Sequence, residues 1–384
     1  MKFIHTADLH LGKQFYGYNI LADQAFILRR IAQLAVSENA DGILLAGDIF
    51  DTPVAGRAAV DLLNKFLTYL QRSNITVFMI SGNHDSPERI HYGSSIMDNC
   101  GIYINGIYDS ERDVRVIDLS DEFGPLHLCL LPYIDPAMVR SSGKFGDITV
   151  TTFDEAVAAV IASIPLKSGE RYAVVAHQFV AGFGTMPASS ESERITVGGI
   201  EQVDAKHFAE FEYAALGHLH KPQKVGLATI RYAGSPLKYS PSECGPAKSV
   251  TVVEFFEKGN VTIRQIPLKP LRDLRIICGT VDDLTTAGAV PMPHDDFFFV
   301  QLTDPLPPAD TMARLRAKYP AVIGVERVND STPAAVAAGA RMEDLQKSDR
   351  DLFAGFFSEV SGRPMTALQE TVVQEILQEM GGEK

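Results

Sequence analysis

Three short apolar runs near the start of the chain set the strongest limit on its fold. KFIH (2–5), GILLA (42–46) and TVFMI (76–80) each read as a buried strand, and amphipathic stretches of helical period lie between them. Ile20, Leu21, Ala25, Leu28, Ile31, Leu34 and Ala35 mark the first helix, over 19–38. Val60, Leu63, Phe66, Leu67 and Leu70 mark the second, over 58–70. Strand, helix, strand, helix, strand at this spacing implies parallel pairing through helical crossovers. In such a sheet, residues just past the carboxyl ends of the strands converge on one crevice.

Each of the three runs is followed by a polar cluster: Asp8-Leu9-His10, Gly47-Asp48-Ile49-Phe50-Asp51 and Gly82-Asn83-His84-Asp85. Two more apolar runs end the same way, at His177 and at Gly217-His218-Leu219-His220. Carboxylates and imidazoles crowded at strand ends are costly unless cations hold them together. The donors are oxygen and imidazole, with no thiolate, which favours manganese, with magnesium or iron as alternatives. Asp8-x-His10 projects both side chains to one side of an extended segment and suits one metal. Asp48, central in sequence order, is the expected bridge between two metals, and His218-x-His220 serves both, one each. Asn83 adds a neutral oxygen. His84, beside Asn83, is assigned to the substrate, where it stabilises or protonates a leaving oxygen. Asp85 is expected to orient a histidine. Two metals clamping attacking and leaving oxygens are the chemistry of phosphoester cleavage.

The chain has 384 residues, which suggests two or three domains. After the α/β start, strand candidates follow at 102–107, 114–118, 126–131, 172–176, 213–216, 229–233, 249–256 and 260–266, with a helix at 153–163. A second sheet packed on the first is the expectation. Near Pro267-Leu268-Lys269-Pro270 the pattern becomes a small α/β unit, then a small-residue linker at 333–340. Two tail helices are signalled by Ser348-x-x-Asp351 and Thr366-x-x-Gln369; the last places Leu368, Val372, Ile376 and Met380 on one face. That stripe, beyond a linker, suits a partner groove. The four cysteines form no CxxC pair, there is no signal-peptide pattern, and no apolar run is long enough to span a membrane, so a cytoplasmic protein is expected. The net charge of −13 argues against holding nucleic acid by charge alone.

The ordered pattern D-x-H, G-D-x-x-D, G-N-H-D, a later histidine and G-H-x-H resembles the calcineurin-like metallophosphoesterase superfamily. The fuller resemblance is to its SbcD family of bacterial DNA-repair nucleases, carried by HTADLHLGKQFYG, LLAGDIFDTP, ISGNHDSPERI, ALGHLHKPQ and RYAGSPLKYSPSE. The resemblance implies a two-sheet α/β (α+β) sandwich flanked by helices over 1–268, a small α/β capping domain over 269–330, and a linker with C-terminal helices over 331–384. It implies two manganese ions: one held by Asp8, His10, Asp48 and His220, the other by Asp48, Asn83, His177 and His218, with His84 catalytic. It further implies 3′-to-5′ exonuclease activity on duplex DNA ends and endonuclease activity on single strands and hairpins. The partner is an SMC-like ATPase of the SbcC type, held by the C-terminal helices; a homodimer of nuclease subunits sits within a heterotetramer, with nucleoid-associated localisation. An acid at Asp51 departs from relatives that carry a histidine there. Lys13, Gln14 and Tyr16, just after the first cluster, are the candidate phosphate contacts. The rival readings are another phosphoesterase of the same chemistry and a non-catalytic scaffold. Thr52-Pro53 after Asp51, in place of Arg-Gly, disfavours the phosphoprotein phosphatases, and the intact ligand set disfavours a scaffold.

Overall fold

The computed structural model describes residues 1–112, 114–146, 150–184, 186–193, 201–245, 247–286, 295–328, 353–355, 357 and 364–381. By its contacts the chain forms two compact units, Met1–Ile276 with Pro293–Phe298, and Ile277–Met292 with Phe299–Lys384.

The first unit is built on two six-stranded sheets. One has the order 261–267, 249–255, 2–6, 42–46, 76–80, 102–105; the other has 223–225, 227–232, 213–217, 171–177, 124–130, 115–121. The strands 2–6, 42–46, 76–80 and 102–105 are all parallel, as their apolar runs and intervening helices require. In the second sheet 124–130, 171–177, 213–217 and 227–232 are parallel, with antiparallel strands at both edges.

Phe3, Leu44, Phe78 and Ile80 from one sheet and Leu128, Leu130, Ala173, Val175 and Tyr213 from the other form a single buried layer. Each large side chain withdrawn there contributes about 1.5–3 kcal/mol, so this layer fixes the sheets face to face. Helix α1 (Leu21–Ser37) buries Ile27, Leu28, Ile31 and Ala35, and helix α2 (Arg57–Arg72) buries Leu63, Phe66, Leu67 and Leu70. The outer face of the second sheet is covered by Phe153–Ala162, whose first turn is closed by a Thr152–Glu155 capping box.

Strands predicted from the sequence are present within a few residues. The pattern did not signal the short helices Pro87–His91, Ser94–Met97 and Pro136–Ser141 or the strand Gln223–Val225. In the second unit the helices Val281–Thr285 and Thr311–Lys318 and the strand Val322–Arg327 are present. The linker at 333–340 and the Ser348–Asp351 signal lie outside the described residues. The last helix, Ala367–Gly381, is present, and its capping box is formed: Thr366 N–H donates to Gln369 Oε1 at 2.9 Å and Gln369 N–H to Thr366 Oγ1 at 3.4 Å. Among the described residues no helix is long and apolar enough to cross a membrane.

Candidate metal centre

The loops leaving the parallel strands 2–6, 42–46, 76–80, 171–177 and 213–217 meet at one end of the sandwich. Asp8 N–H donates to the Gly47 carbonyl, His218 N–H to Asp8 Oδ1, and His177 Nδ1 to the Ala46 carbonyl at 2.8 Å. Such close approach leaves no room for extra atoms. A Cβ at Gly217 would lie 1.8 Å from the Ala46 carbonyl oxygen, and one at Gly82 would lie 2.2 Å from Asp48 Oδ1. Asp8, His10, Asp48 and His218 all have positive φ, of 54°, 42°, 48° and 102°. That conformation is strained for non-glycine residues, and it persists only where the surroundings over-determine it. Gln24 of α1 supplies part of that constraint: its amide donates to the His10 carbonyl at 2.7 Å and accepts from Gly12 N–H at 3.0 Å. Tyr239 Oη donates to the Leu9 carbonyl at 2.7 Å.

The side chains converge. Asp8, His10 and His220 form one buried trio; His10, Asp48 and His84 form a second; Asp8, Asp48 and His177 form a third. Within each trio the donor atoms lie within 4.8 Å of one another. Asp48 Oδ2 stands 3.6 Å from His10 Nε2 and 3.5 Å from His177 Nε2. One carboxylate oxygen thus lies between imidazoles of the two expected sets. Asn83 Oδ1 is 3.0 Å from His177 Nε2 and 3.2 Å from His218 Nδ1. His10 Nε2 and His220 Nε2 are 3.1 Å apart.

These contacts suit a cation better than they suit each other. With Nδ1 donating to Ala46, the Nε2 of His177 faces two oxygen acceptors, Asn83 Oδ1 and Asp48 Oδ2, so that nitrogen must carry a second proton unless a cation takes its place. Asp8 Oδ2 and His218 Nε2 are buried with no hydrogen-bond partner among the described residues. Orphaned buried acceptors are uncommon in proteins and call for an ion or water. The donor set of carboxylate, amide oxygen and imidazole fits hard or borderline divalent cations. In the metal-free cluster, charge is shared awkwardly. Burial raises Asp8 to about 7, helped by Asp48 and opposed by His177 and His10. Burial lowers His177, but the Asp48 carboxylate outweighs it and holds the ring at about 9. Burial drives His218 down to about 3 and His220 to about 4, which keeps both in the neutral form that binds metal.

His84 lies at the rim of the cluster, its ring edge-on to His10 with centroids 4.8 Å apart. Its Nδ1 donates to the Asp51 carbonyl at 2.9 Å, and its backbone N–H donates to Asp48 Oδ1. Asp51, left without a role by the sequence, also places Oδ1 3.3 Å from His10 Nδ1 and 2.8 Å from Lys13 Nζ. It therefore ties together the first and second loops. Lys13 is committed to that pairing and also faces the Tyr239 ring. Gln14 and Tyr16 are exposed on the neighbouring two-stranded ribbon. Asp85 differs from expectation. Its oxygens accept backbone N–H groups of Ile49, Phe50 and Gly82 at 2.8–3.0 Å, so they are spent on main-chain donors rather than on a histidine ring. It pins the Asp48 loop to the Asn83 loop, because three converging amides outcompete a single ring. The sequence reading also missed Gln24 and Tyr239, whose hydrogen bonds hold the first loop in place. They lie far from the ligands in the chain, and no local spacing marks them.

The family profile described as calcineurin-like phosphoesterase matches residues 1–222, and that described as the type 5 capsule protein repressor C-terminal domain (SbcD_C) matches 270–361. The SbcD subunit of the nuclease SbcCD of Staphylococcus epidermidis is 30% identical over 381 residues, covering 98% of each chain. Among solved structures, a dimetal phosphatase from Danio rerio is 14% identical with a TM-score of 0.41, covering 71% of this chain and 98% of that one. GAP50, the anchor in the inner membrane complex of Plasmodium, is 14% identical with a TM-score of 0.40, covering 87% and 98%. By the match over its first 222 residues and the near full-length identity to the staphylococcal SbcD, the chain belongs to the calcineurin-like phosphoesterases and, within them, to the SbcD family.

Proposed function

We propose that this protein is the manganese-dependent nuclease subunit of an SMC-like ATPase–nuclease complex acting in DNA repair and recombination. Asp8, His10, Asp48 and His220 would hold one ion, and Asp48, Asn83, His177 and His218 the other. The supporting observation is the position of Asp48 Oδ2, shared between His10 and His177. Bound ions would supply an activated water and neutralise charge on the phosphoryl oxygens. The chain itself does the rest. The Asp51 carbonyl fixes the His84 ring by its Nδ1–H, so in the imidazolium form the opposite nitrogen is the one to hand its proton to the leaving oxygen. The substrates follow the family: duplex ends by 3′-to-5′ exonuclease action, and hairpins and single strands by endonuclease action.

The domain division is read as 1–268 for the nuclease, 269–330 for the cap and 331–384 for linker and partner-binding helices. The exposed stripe Leu368, Val372 and Ile376 supports docking of an SbcC-type ATPase there. A nuclease homodimer within the complex, a cytoplasmic, nucleoid-associated location, and phosphate contacts from Lys13, Gln14 and Tyr16 belong to the same reading. The net charge of −13 makes the partner a needed contributor to DNA affinity. The test is cleavage of a hairpin duplex and of a duplex end, with manganese, magnesium or chelator, with and without the partner ATPase. Manganese-dependent cleavage is expected. A protein that takes up manganese yet cuts neither substrate, even with its partner, would overturn the nuclease reading and favour another phosphoesterase.

A further inference from the structure

The stretch RYAGSPLKYSPSE (231–243) supplies no member of the Asp/His cluster, yet it ends on a deeply buried carboxylate. The Glu243 side chain is 2% exposed. A carboxylate at that depth needs donors on both oxygens. Oε2 accepts from Lys248 Nζ, itself buried, and from Ser235 Oγ at 3.3 Å. Oε1 accepts from Ser192 Oγ at 2.6 Å, Tyr239 N–H at 3.2 Å and Ser240 Oγ at 3.2 Å.

Ser192 Oγ is also 2.7 Å from His220 Nδ1, and Glu243 Oε1 is 3.4 Å from the same nitrogen. A hydroxyl has one proton. The carboxylate can only accept, so that proton points to Glu243, and the hydroxyl must then accept from His220 Nδ1. This arrangement puts the imidazole proton on Nδ1 and leaves the Nε2 lone pair aimed at His10 Nε2, 3.1 Å away. The backbone of His220 is clamped as well. Its N–H donates to Glu193 Oε1 at 2.6 Å, and its carbonyl accepts from Lys248 Nζ at 2.7 Å. Lys248 thus neutralises Glu243 and holds the main chain of the residue that Glu243 aims.

We infer that Glu243, acting through Ser192, is the positioning residue that sets the tautomer and direction of His220, with Lys248 as its counter-charge. The inference rests on reading His220 as a ligand, and it assigns a role to the 231–243 stretch. A pair that merely stabilised the fold would have no reason to meet the imidazole through a hydroxyl.

The experiment uses the full chain stripped of metal. Glu243→Gln alone would keep an acceptor and strand a buried lysine charge, so the informative variant is Glu243→Leu with Lys248→Met. Ser192→Ala is the companion, since it leaves the buried pair intact. Three quantities are read: apoprotein thermal stability, manganese affinity and stoichiometry by calorimetry, and the His220 tautomer by nitrogen-15 NMR of histidine-labelled apoprotein. The pair variant should bind one of its two manganese ions about 10–100-fold more weakly, and the other nearly as before. His220 should change from the Nδ1–H form to a mixture. Ser192→Ala should weaken the same ion less, because Glu243 remains 3.4 Å from the ring. If the wild type binds two ions and both variants keep its affinity and tautomer, the positioning role is overturned while the metal reading stands. If the wild type binds no manganese, both fall together.

Discussion

At the scale of single residues, the two-metal reading divides the cluster into groups that would face a cation and groups that hold them in place, and the two classes should respond differently to change. His84 has its Nδ1 on the Asp51 carbonyl and its backbone on Asp48. His84→Ala should remove the proposed proton donor and leave both proposed ligand sets in place. We expect cleavage to fall by about 10²–10⁴-fold with manganese still bound two per chain, read by single-turnover kinetics beside metal analysis. Loss of the metal together with activity would mean that His84 is a ligand. The protonation of the apoprotein yields a second prediction. Burial raises Asp8 to about 7, and Asp48 outweighs burial to hold His177 at about 9. Both groups therefore carry protons that a cation must displace. Metal loading at pH 7 should release on the order of one to two protons, and apparent affinity should fall as pH drops from 8 to 6. Calorimetry in two buffers of different ionisation enthalpy measures the release; none at all would contradict the placement of these two groups at the cation. Without metal, both groups push stability the same way. A carboxyl raised from its ordinary value to about 7 costs stability as pH rises towards 7, while the unfolded chain ionises and the folded group keeps its proton; a histidine raised to about 9 gives up its stabilising contribution between pH 6.5 and 9. The apoprotein should lose stability between pH 6.5 and 9. Below pH 6.5 the buried neutral rings of His5, lowered by burial to about 3, His218 and His220 pull the other way, since the unfolded chain gains protons there that the folded chain refuses.

At the scale of elements, the strand–loop junctions explain what the sequence could and could not disclose. The runs 42–46 and 76–80 and the helices between them announce parallel strands because their apolar spacing is local. The polar residues after them announce a site because parallel strands deliver their ends together. Asp85 shows the limit of such reading. A carboxylate next to a histidine in sequence looks like its partner, but the loop turns it toward the amides of Ile49, Phe50 and Gly82. Glu243 shows the converse, being 23 residues from the His220 that it faces and carrying no signature of that contact. Gly217 is the junction most exposed to a test. A Cβ there meets a backbone carbonyl, Ala46 O, which belongs to a central strand of the opposing sheet and cannot swing aside. Gly217→Ala should cost roughly 1–3 kcal/mol of stability and displace His218, whose backbone N–H is bonded to Asp8. Thermal denaturation of the apoprotein together with metal stoichiometry checks both effects. Unchanged metal binding would show that the two sheets can part without disturbing the cluster.

At the scale of the whole molecule, the proposed reading puts the metal cluster and the partner-docking tail in separate parts of the chain, and this separation can be measured. The cluster draws all its side chains from residues 8–220, whereas the last helix begins at Ala367. That helix is closed at its start by Thr366 and Gln369 and turns Leu368, Val372 and Ile376, 75%, 46% and 50% exposed, to its surroundings. An apolar stripe left open on a helix of this length favours capture by a groove. Removing residues 364–384 should therefore abolish binding of the partner ATPase, leave two manganese ions bound, and spare hydrolysis of a small phosphodiester such as bis(p-nitrophenyl) phosphate. Cleavage of long duplex DNA should drop toward the level of the isolated nuclease, because a chain of net charge −13 gains little from the phosphate backbone without a basic companion. A triple replacement of Leu368, Val372 and Ile376 by serine should act like the truncation if the stripe is the contact. Should the triple variant bind the ATPase as tightly as the intact chain while the truncation does not, the contact lies elsewhere on the tail; should the truncation bind it too, the tail is not the docking element.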